Sequence, residues 1–500
     1  MQIPFNKPGQ KWLVAVVAVG LAAAYLSLAG RECLASWYGE RVDLAGLQRA
    51  AKLDPGDADY RDRLGRYYYL IAHDPSSAIE PYRAAVQLNP HSARFWFDLA
   101  SAYQVLGDIP SQTAALERAI EADPTTPDVA WEAANLYLVR GENEKALREF
   151  RVVLGTDPSL IASAIQFCWR IEPDVDVLLR DVVPPHLDAD IAFLSLLMSK
   201  GEISATAKVW AALMQVNEPL DLRYVQEYFR YLITSSNIPG SLTSGTFTSG
   251  EDVQQDKSNA IARLTAVPSS GEMHIAQFVS GSANQTNAWV GQSSGAVWTP
   301  SGPRDKQKDV DEALLVWQQA AARPGGVIDS SRHAIKLAGY LPSAHNLVVN
   351  GNFSLDVLNG GLDWQYQKQP NVELTLDPSD FHGGRRSLLV TFDGPSVSDA
   401  GFFQYIPVQP NTTYDFTGYY KTGEFDGAGG PHFTIQDMYS QAIYYESDEL
   451  KDAEFWKSAT GEFTTGPECR LVVLHIRRLP EGSPIRGKLW VGDFHLVRKA

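Results

Sequence analysis

In 500 residues there are only three cysteines, Cys33, Cys168 and Cys469, far apart, odd in number and never in CxxC spacing. That excludes a disulfide framework and a zinc site, and leaves small buried apolar side chains as their role. Basic residues are also short. Lys and Arg total 43 against 59 Asp and Glu, a formal net charge of −16. Nucleic acid, whose phosphates demand a basic face, is thereby excluded as a partner. No HExxH, P-loop or GxGxxG occurs, so nothing announces a metal or a cofactor, and none is expected. What remains is ordinary globular material, 44% hydrophobic and 20% charged. It is too long for one core, so two or three domains are expected.

One apolar run stands apart. Residues 12–29, WLVAVVAVGLAAAYLSLA, carry no charge. As a helix they extend roughly 27 Å, nearly the thickness of a bilayer core. Ser27-Leu28-Ala29 also suits a signal-peptidase site, but signal cores usually run ~7–15 residues, and the length favours an uncleaved anchor. Lys7 and Lys11 precede the run and only Arg31 follows closely. That bias places residues 1–11 in the cytoplasm and the bulk of the chain outside the inner membrane.

Asp54-Pro55, Asn89-Pro90, Asp123-Pro124 and Asp157-Pro158 set prolines 35, 34 and 34 residues apart. Between them lie Leu64-Gly65, Tyr68, Ala78, Tyr82 and Ala85, then Trp96, Leu99, Tyr103, Gly107, Leu116 and Ala119, then Tyr137, Gly141, Ala146 and Phe150. The period and these positions resemble the tetratricopeptide repeat, which implies an all-α solenoid of antiparallel helix pairs over residues 36–234. Proline stops each second helix, and Ala85 and Ala119 let paired helices approach. Beyond Pro158 the signature decays, while AFLSLLM and KVWAALM keep helical spacing. The resemblance implies a groove lined by first helices, with Arg66, Tyr69, Arg94, Phe97, Gln104, Trp131 and Asn135 facing a protein partner. The alternative is that they cover surface and pack on neighbours. Peptide-clamp members of the family place Lys and Asn at set groove positions, and only Asn135 matches.

From Ser235 to Lys308 the composition turns to Ser, Gly, Thr, Asn and Gln. Residues 235–308 read as a polar, flexible insertion, with alternation enough for a small hairpin in EMHIAQFV and NAWVGQSSGAVW. Gly291 to Gly295 matches GxSxG, but two prolines soon after it forbid the helix that a nucleophile elbow requires. Residues 309–322 resume helical spacing, and closing helices of the solenoid are expected over 309–343.

The grammar then changes to period two with turn pairs, in RSLLVTF, GFFQYIPV, TTYDFTGYY, PHFTIQD, CRLVVLHI and KLWVGDFHLV. Six or more short strands imply an all-β sandwich over 344–500. Asn346-Leu347, Asn350-Gly351, Phe353, Gly360-Gly361, Trp364, Gly384, Ser387-Leu388, Pro410, Tyr414, Trp490, Asp493, Phe494 and Leu496 resemble the carbohydrate-binding jelly-roll modules related to galactose-binding domains. In that family an acidic residue after the Phe and the terminal-strand Asp help hold a structural calcium. Here Ser354 takes the first position and only Asp493 remains, so calcium is not expected.

Alternation puts Tyr414, Phe416 and Tyr420 on one face of their strand and Thr417, Tyr419 and Lys421 on the other. Phe433 and Ile435 point inward, Thr434 and Gln436 outward. A concave patch of Tyr419, Lys421, Gln436 and Tyr439 is the expected glycan contact, with Trp364, Trp456 and Trp490 in the core. Glu446-Ser447-Asp448-Glu449 lacks a second carboxylate at position 451, which is Lys, so a glycosidase is not supported. The resemblances together imply a multidomain, membrane-anchored scaffold without catalysis, acting in cell-envelope or exopolysaccharide assembly or export. Its partners would be envelope proteins in the groove, polysaccharide on the sandwich and the membrane through the anchor. The rival is a protein-interaction adaptor whose sandwich has no ligand.

Overall fold

The computed structural model describes residues 8–41, 43–235, 237–264, 271–280, 283, 286–302, 306–395, 397–427, 429–478 and 484–499. It divides into two units, 1–189 and 190–500. The first is helical throughout its described residues: α1 (Pro8–Gly39), α2 (Leu44–Leu53), α3 (Ala58–Arg66), α4 (Pro75–Leu88), α5 (Ala93–Leu106), α6 (Ile109–Ala122), α7 (Pro127–Val139), α8 (Asn143–Thr156), α9 (Ile161–Ile171) and the short α10 (Val175–Val177). Within α1, Trp12–Gly39 is the one described helix long and apolar enough to cross a membrane, and the chain buries none of its apolar window. Residues 1–7 of the expected cytoplasmic tail lie outside the described residues, and 8–11 are already helical.

The proline pairs act as their chemistry dictates. Asp54, Asn89, Asp123 and Asp157 cap α2, α4, α6 and α8 with φ of −127°, −135°, −151° and −126° and positive ψ. The ring of the next residue excludes the helical region there, and the helix stops. Asp74 and Asp108 then start second helices by accepting from the N–H groups of Ser77 and Ser111, each with a proline in the first turn. Ala85 and Ala119 are fully buried. Gly65 meets Tyr82 so closely that a Cβ there would lie 2.5 Å from the ring.

The second unit begins within α11 (Leu187–Lys200) and continues through α12 (Ile203–Leu213), β1 (Leu220–Asp221) and α13 (Leu222–Thr234). The stretch read as a flexible insertion is instead a seven-stranded sheet. β2 (Ile238–Ser244), β3 (Asp252–Gln255), β4 (Ile261–Leu264), β5 (Glu272–Met273), β6 (Ile275–Ser280), β7 (Trp289–Gly291) and β8 (Val297–Pro300) run in the order β5-β2-β8-β7-β3-β4-β6. Trp289 and Trp298 are buried at its centre with Phe247, Val253 and Met273. The apolar residues are few but large, and the strands are short with polar turns between them, so average composition mimics a linker. The expected closing helices reduce to one, α14 (Lys306–Ala322). It is followed by β9 (Val327–Ile328), which pairs parallel with β1, by β10 (Ala334–Ile335), and by a 3₁₀ turn at Leu337–Tyr340.

The C-terminal strands are β11 (Gln365–Tyr366), β12 (Val372–Asp377), β13 (Ser387–Gly394), β14 (Asp399–Pro407), β15 (Thr413–Gly427), β16 (Pro431–Asp437), β17 (Ile443–Glu446), β18 (Lys457–Thr464), β19 (Leu471–Arg478) and β20 (Ile485–Arg498). They form two five-stranded sheets, β11-β14-β19-β16-β17 and β12-β13-β20-β15-β18. Phe353, Trp364, Tyr414, Phe416, Phe433, Ile435, Phe494 and Leu496 fill the shared core. The asparagine-rich stretch that opens the domain is stitched to its last strand. Asn346 Nδ2 donates to Phe494 O, its Oδ1 accepts from Leu496 N, and Leu347 N donates to Leu496 O.

Candidate functional site

The solenoid candidates come from α3, the π-helical turn Tyr67–Ile71 that follows it, α5 and α7, but several are already committed. Arg66 Nε lies 2.8 Å from Asp98 Oδ2 and 3.4 Å from Asp62 Oδ2. Arg94 pairs with Asp59 at 2.6 Å and reaches Asp62 at 3.5 Å. The two arginines thus stitch the first helices of successive repeats around the buried Asp62. Burial and then Asp98 push that carboxyl up to about 7, against the pull of Arg66 and Arg94. Tyr69 and Phe97 pack half-buried on the repeat core. Trp131 meets Phe150 and Phe167 edge-on, and Asn135 Nδ2 donates to Trp131 O at 2.8 Å. Of the seven, Gln104 is exposed with no side-chain hydrogen bond among the described residues, whereas Arg94 is exposed but paired.

On the sandwich the four expected glycan residues do not come together. Tyr419 and Lys421 leave β15 on the outer side of the β12-β13-β20-β15-β18 sheet, while Gln436 belongs to β16 in the opposite sheet and Tyr439 follows that strand. Alternation along a strand tells which side a residue faces, not which sheet the strand joins. The inward assignment of Tyr414, Phe416, Phe433 and Ile435 matches the burial of all four. Trp364 is in the core as expected, whereas Trp456 and Trp490 are half-buried on the outer side. Leu489 and Val491 are the inward residues that flank Trp490, and their alternation was the signal that it points out.

Around Tyr419 and Lys421 a network closes. The loop 378–386 joins β12 to β13 and reaches across to β15 and β20. Asp380 accepts from Trp456 Nε1 at 2.9 Å through Oδ1 and pairs with Lys421 Nζ through Oδ2. His382 lies flat against Tyr419, and its Nδ1 is 2.9 Å from Asp493 Oδ2. Asp493 Oδ1 is 3.0 Å from His495 Nε2, so an imidazole stands at each oxygen of this carboxylate. Trp490 Nε1 donates to Asp377 Oδ2 at 2.8 Å, while Lys421 Nζ lies 5.6 Å from the centre of that indole. The Ser379 hydroxyl and then the Trp490 N–H hold the Asp377 carboxyl below its usual range. Asp380, His382, Trp456 and Trp490 are the members that sequence reasoning missed. Only the loop's fold brings the first two onto the sheet.

The other candidate face is covered. Thr434 points outward from the middle of β16 yet is 1% exposed, and Gln436 and His475 beside it are 8% exposed. Tyr439 OH donates to Ile233 O at the end of α13 at 3.2 Å, and Lys306 stands over its ring. Gln226 of α13 donates to Leu358 O at 3.0 Å. The chain's own helices occupy that side.

Next to Asp493 and His495 lies a cleft of about 240 Å³ floored by Asn346, Asn350 and Asn352. Asn346 and Asn350 use both ends of their amides on local backbone. The GxSxG serines sit in a turn between β7 and β8. Ser293 Oγ and Ser294 Oγ donate to Glu251 at 2.7 and 2.9 Å, so the pattern is a carboxylate-anchored turn and no helix follows it.

Residues 345–477 match the family model described as carbohydrate binding domain. The chain joins a tetratricopeptide-like solenoid to a carbohydrate-binding-like sandwich. Over 113 residues it is 29% identical to the Hsp70-Hsp90 organizing protein of Triticum aestivum, covering 23% of this chain and 19% of that one. The chain therefore spans about a fifth of the length of this relative. Among solved structures it is similar to MamA, with 25% identity, a TM-score of 0.25, and coverage of 33% of this chain and 89% of that one. It is also similar to the CBM22-1 xylan-binding domain from Paenibacillus barcinonensis Xyn10C, with 14% identity, a TM-score of 0.23, and coverage of 30% and 93%.

Proposed function

We propose that this protein is a non-enzymatic scaffold of the cell envelope. It is held in the inner membrane by Trp12–Gly39 with its bulk outside, where the solenoid recruits proteins and the sandwich engages polysaccharide during assembly or export. The observation that carries the reading is the carbohydrate-binding match over residues 345–477 in the same chain as the repeats. The absence of catalysis is supported by the GxSxG turn, whose serines are bound to Glu251. It is also supported by Lys451, which pairs with Glu449 where a second carboxylate would be needed. The adaptor reading has its own support, because the sandwich face that carries Gln436 and Thr434 is filled by the chain. A glycan array probed with the detergent-solubilised full chain separates the two. Binding to a defined set of polysaccharides supports the scaffold. Binding to none, together with retention of envelope proteins by the solenoid, overturns it for the adaptor.

A further inference from the structure

Two phenyl rings on loops of the sandwich are exposed. Phe455 is 81% exposed and Phe381 is 42% exposed. Each is the sequence neighbour of one partner in the Trp456–Asp380 hydrogen bond, so the two loops that carry the rings are tied together beside them. Both mounts are fixed. Loop 378–386 is held by Asp380 on Lys421 and by His382 on Tyr419. The loop before β18 is held by Ala453, which exchanges hydrogen bonds with Thr422 of β15, N to Oγ1 at 2.9 Å and O from N at 2.8 Å. An exposed ring on a fixed mount binds without an ordering cost. The sheet faces are less free: α13 covers one, and on the other Tyr419, Lys421, Trp456 and Trp490 are engaged by His382, Asp380 and Asp377.

We infer that the rim bearing Phe381 and Phe455 is the glycan contact of this chain, and that it takes an uncharged pyranose chain. The inference rests on the scaffold reading above and names its contact surface. Phenyl rings without hydroxyls stack on the C–H face of a pyranose, and exposed Asp452 and Glu454 flank Phe455 in sequence for its hydroxyls. The two carboxylates and the chain's net charge of −16 repel a polyanionic glycan.

The test uses the full chain in detergent, an array of neutral and acidic oligosaccharides, and titration with the tightest neutral one. Phe455→Ala should weaken binding about two- to tenfold, the range of one aromatic contact, and Phe381→Ala/Phe455→Ala should weaken it further. Phe455→Trp should retain binding. Tyr366→Ala removes another exposed ring, on the opposite sheet, 52% exposed, and should change nothing. Thermal melting should be unchanged for both single Phe455 variants, because that ring buries little, and melts of the double variant and of Tyr366→Ala check that each is folded. A wild-type chain that binds no glycan overturns the scaffold reading itself. A wild-type chain that binds while the double variant binds equally well overturns the rim alone, as does binding confined to acidic glycans.

Discussion

Tyr419 and His382 lie face to face, with ring centroids 3.7 Å apart and planes 15° from parallel. The tyrosine belongs to β15 and the histidine to the loop that folds over it, so the stack is a clasp between loop and sheet. Tyr419→Ala should release loop 378–386, at a cost of about 0.5–1.5 kcal/mol beyond the area lost. Amide hydrogen exchange should rise within 378–386 and stay unchanged in the core strand β13. Unaltered protection of the loop would show that its bonds to Lys421, Trp456 and Asp493 hold it without the stack.

Asp363 is fully buried, and that burial pushes its carboxyl up to about 7 against the N–H groups of Leu358 and Trp364. Its folded value thus stands above its unfolded one. Below about pH 4 the acid is protonated in both states and nothing is lost. Between there and pH 7 the unfolded chain sheds its proton first, and stability falls as pH rises. Asp363→Asn should therefore stabilise the second unit at pH 8, by up to a few kcal/mol, and leave it unchanged at pH 4. Melting curves at the two pH values give the answer. An equal effect at both would mean that the carboxyl titrates alike in the folded and the unfolded chain.

Gly65 lies inside α3, where alanine would ordinarily improve a helix by about 1 kcal/mol. Here a Cβ would press within 2.5 Å of Tyr82. Gly65→Ala should therefore destabilise the repeats by about 1–3 kcal/mol, the usual range for overpacking. Helical circular dichroism during heating measures it. A rise in melting temperature would mean the pair has slack.

Trp298 is buried in the seven-stranded sheet at 2% exposure. Trp298→Ala should cost about 3–5 kcal/mol there and open residues 237–302 to protease. Helical signal from the repeats should persist. Cutting of the wild-type chain within 237–302 as fast as the variant would argue against the sheet.

The repeats were legible because Asp/Asn-Pro pairs impose their backbone locally, without help from the rest of the fold. The sandwich was legible for a similar reason: period two is set by the strand itself, and Tyr414 and Phe416 turned inward as their spacing required. What could not be read depends on partners distant in sequence. Tyr419 and Gln436 are 17 residues apart in one chain yet sit in opposite sheets, because strand order is decided by long-range pairing. His382 reaches Tyr419 only through a loop, and no periodicity governs loops. The seven-stranded sheet escaped notice since two tryptophans carry a core that composition averages away.

Trp317 of α14 donates its indole N–H to Tyr340 O and presses against Gly361 of the sandwich, where any Cβ would come within 1.9 Å of the ring. Gly361 also has φ +64°, which few side chains tolerate. The sandwich is therefore keyed into the helix before it and is not a bead on a string. A pull on the sandwich would pass through this socket into α14 and, by the Phe229–Trp317 contact, into α13 as load. A cut at residue 343 made to isolate the sandwich would leave the Trp317 socket empty, and transplanting the sandwich into another protein would require carrying α14 with it.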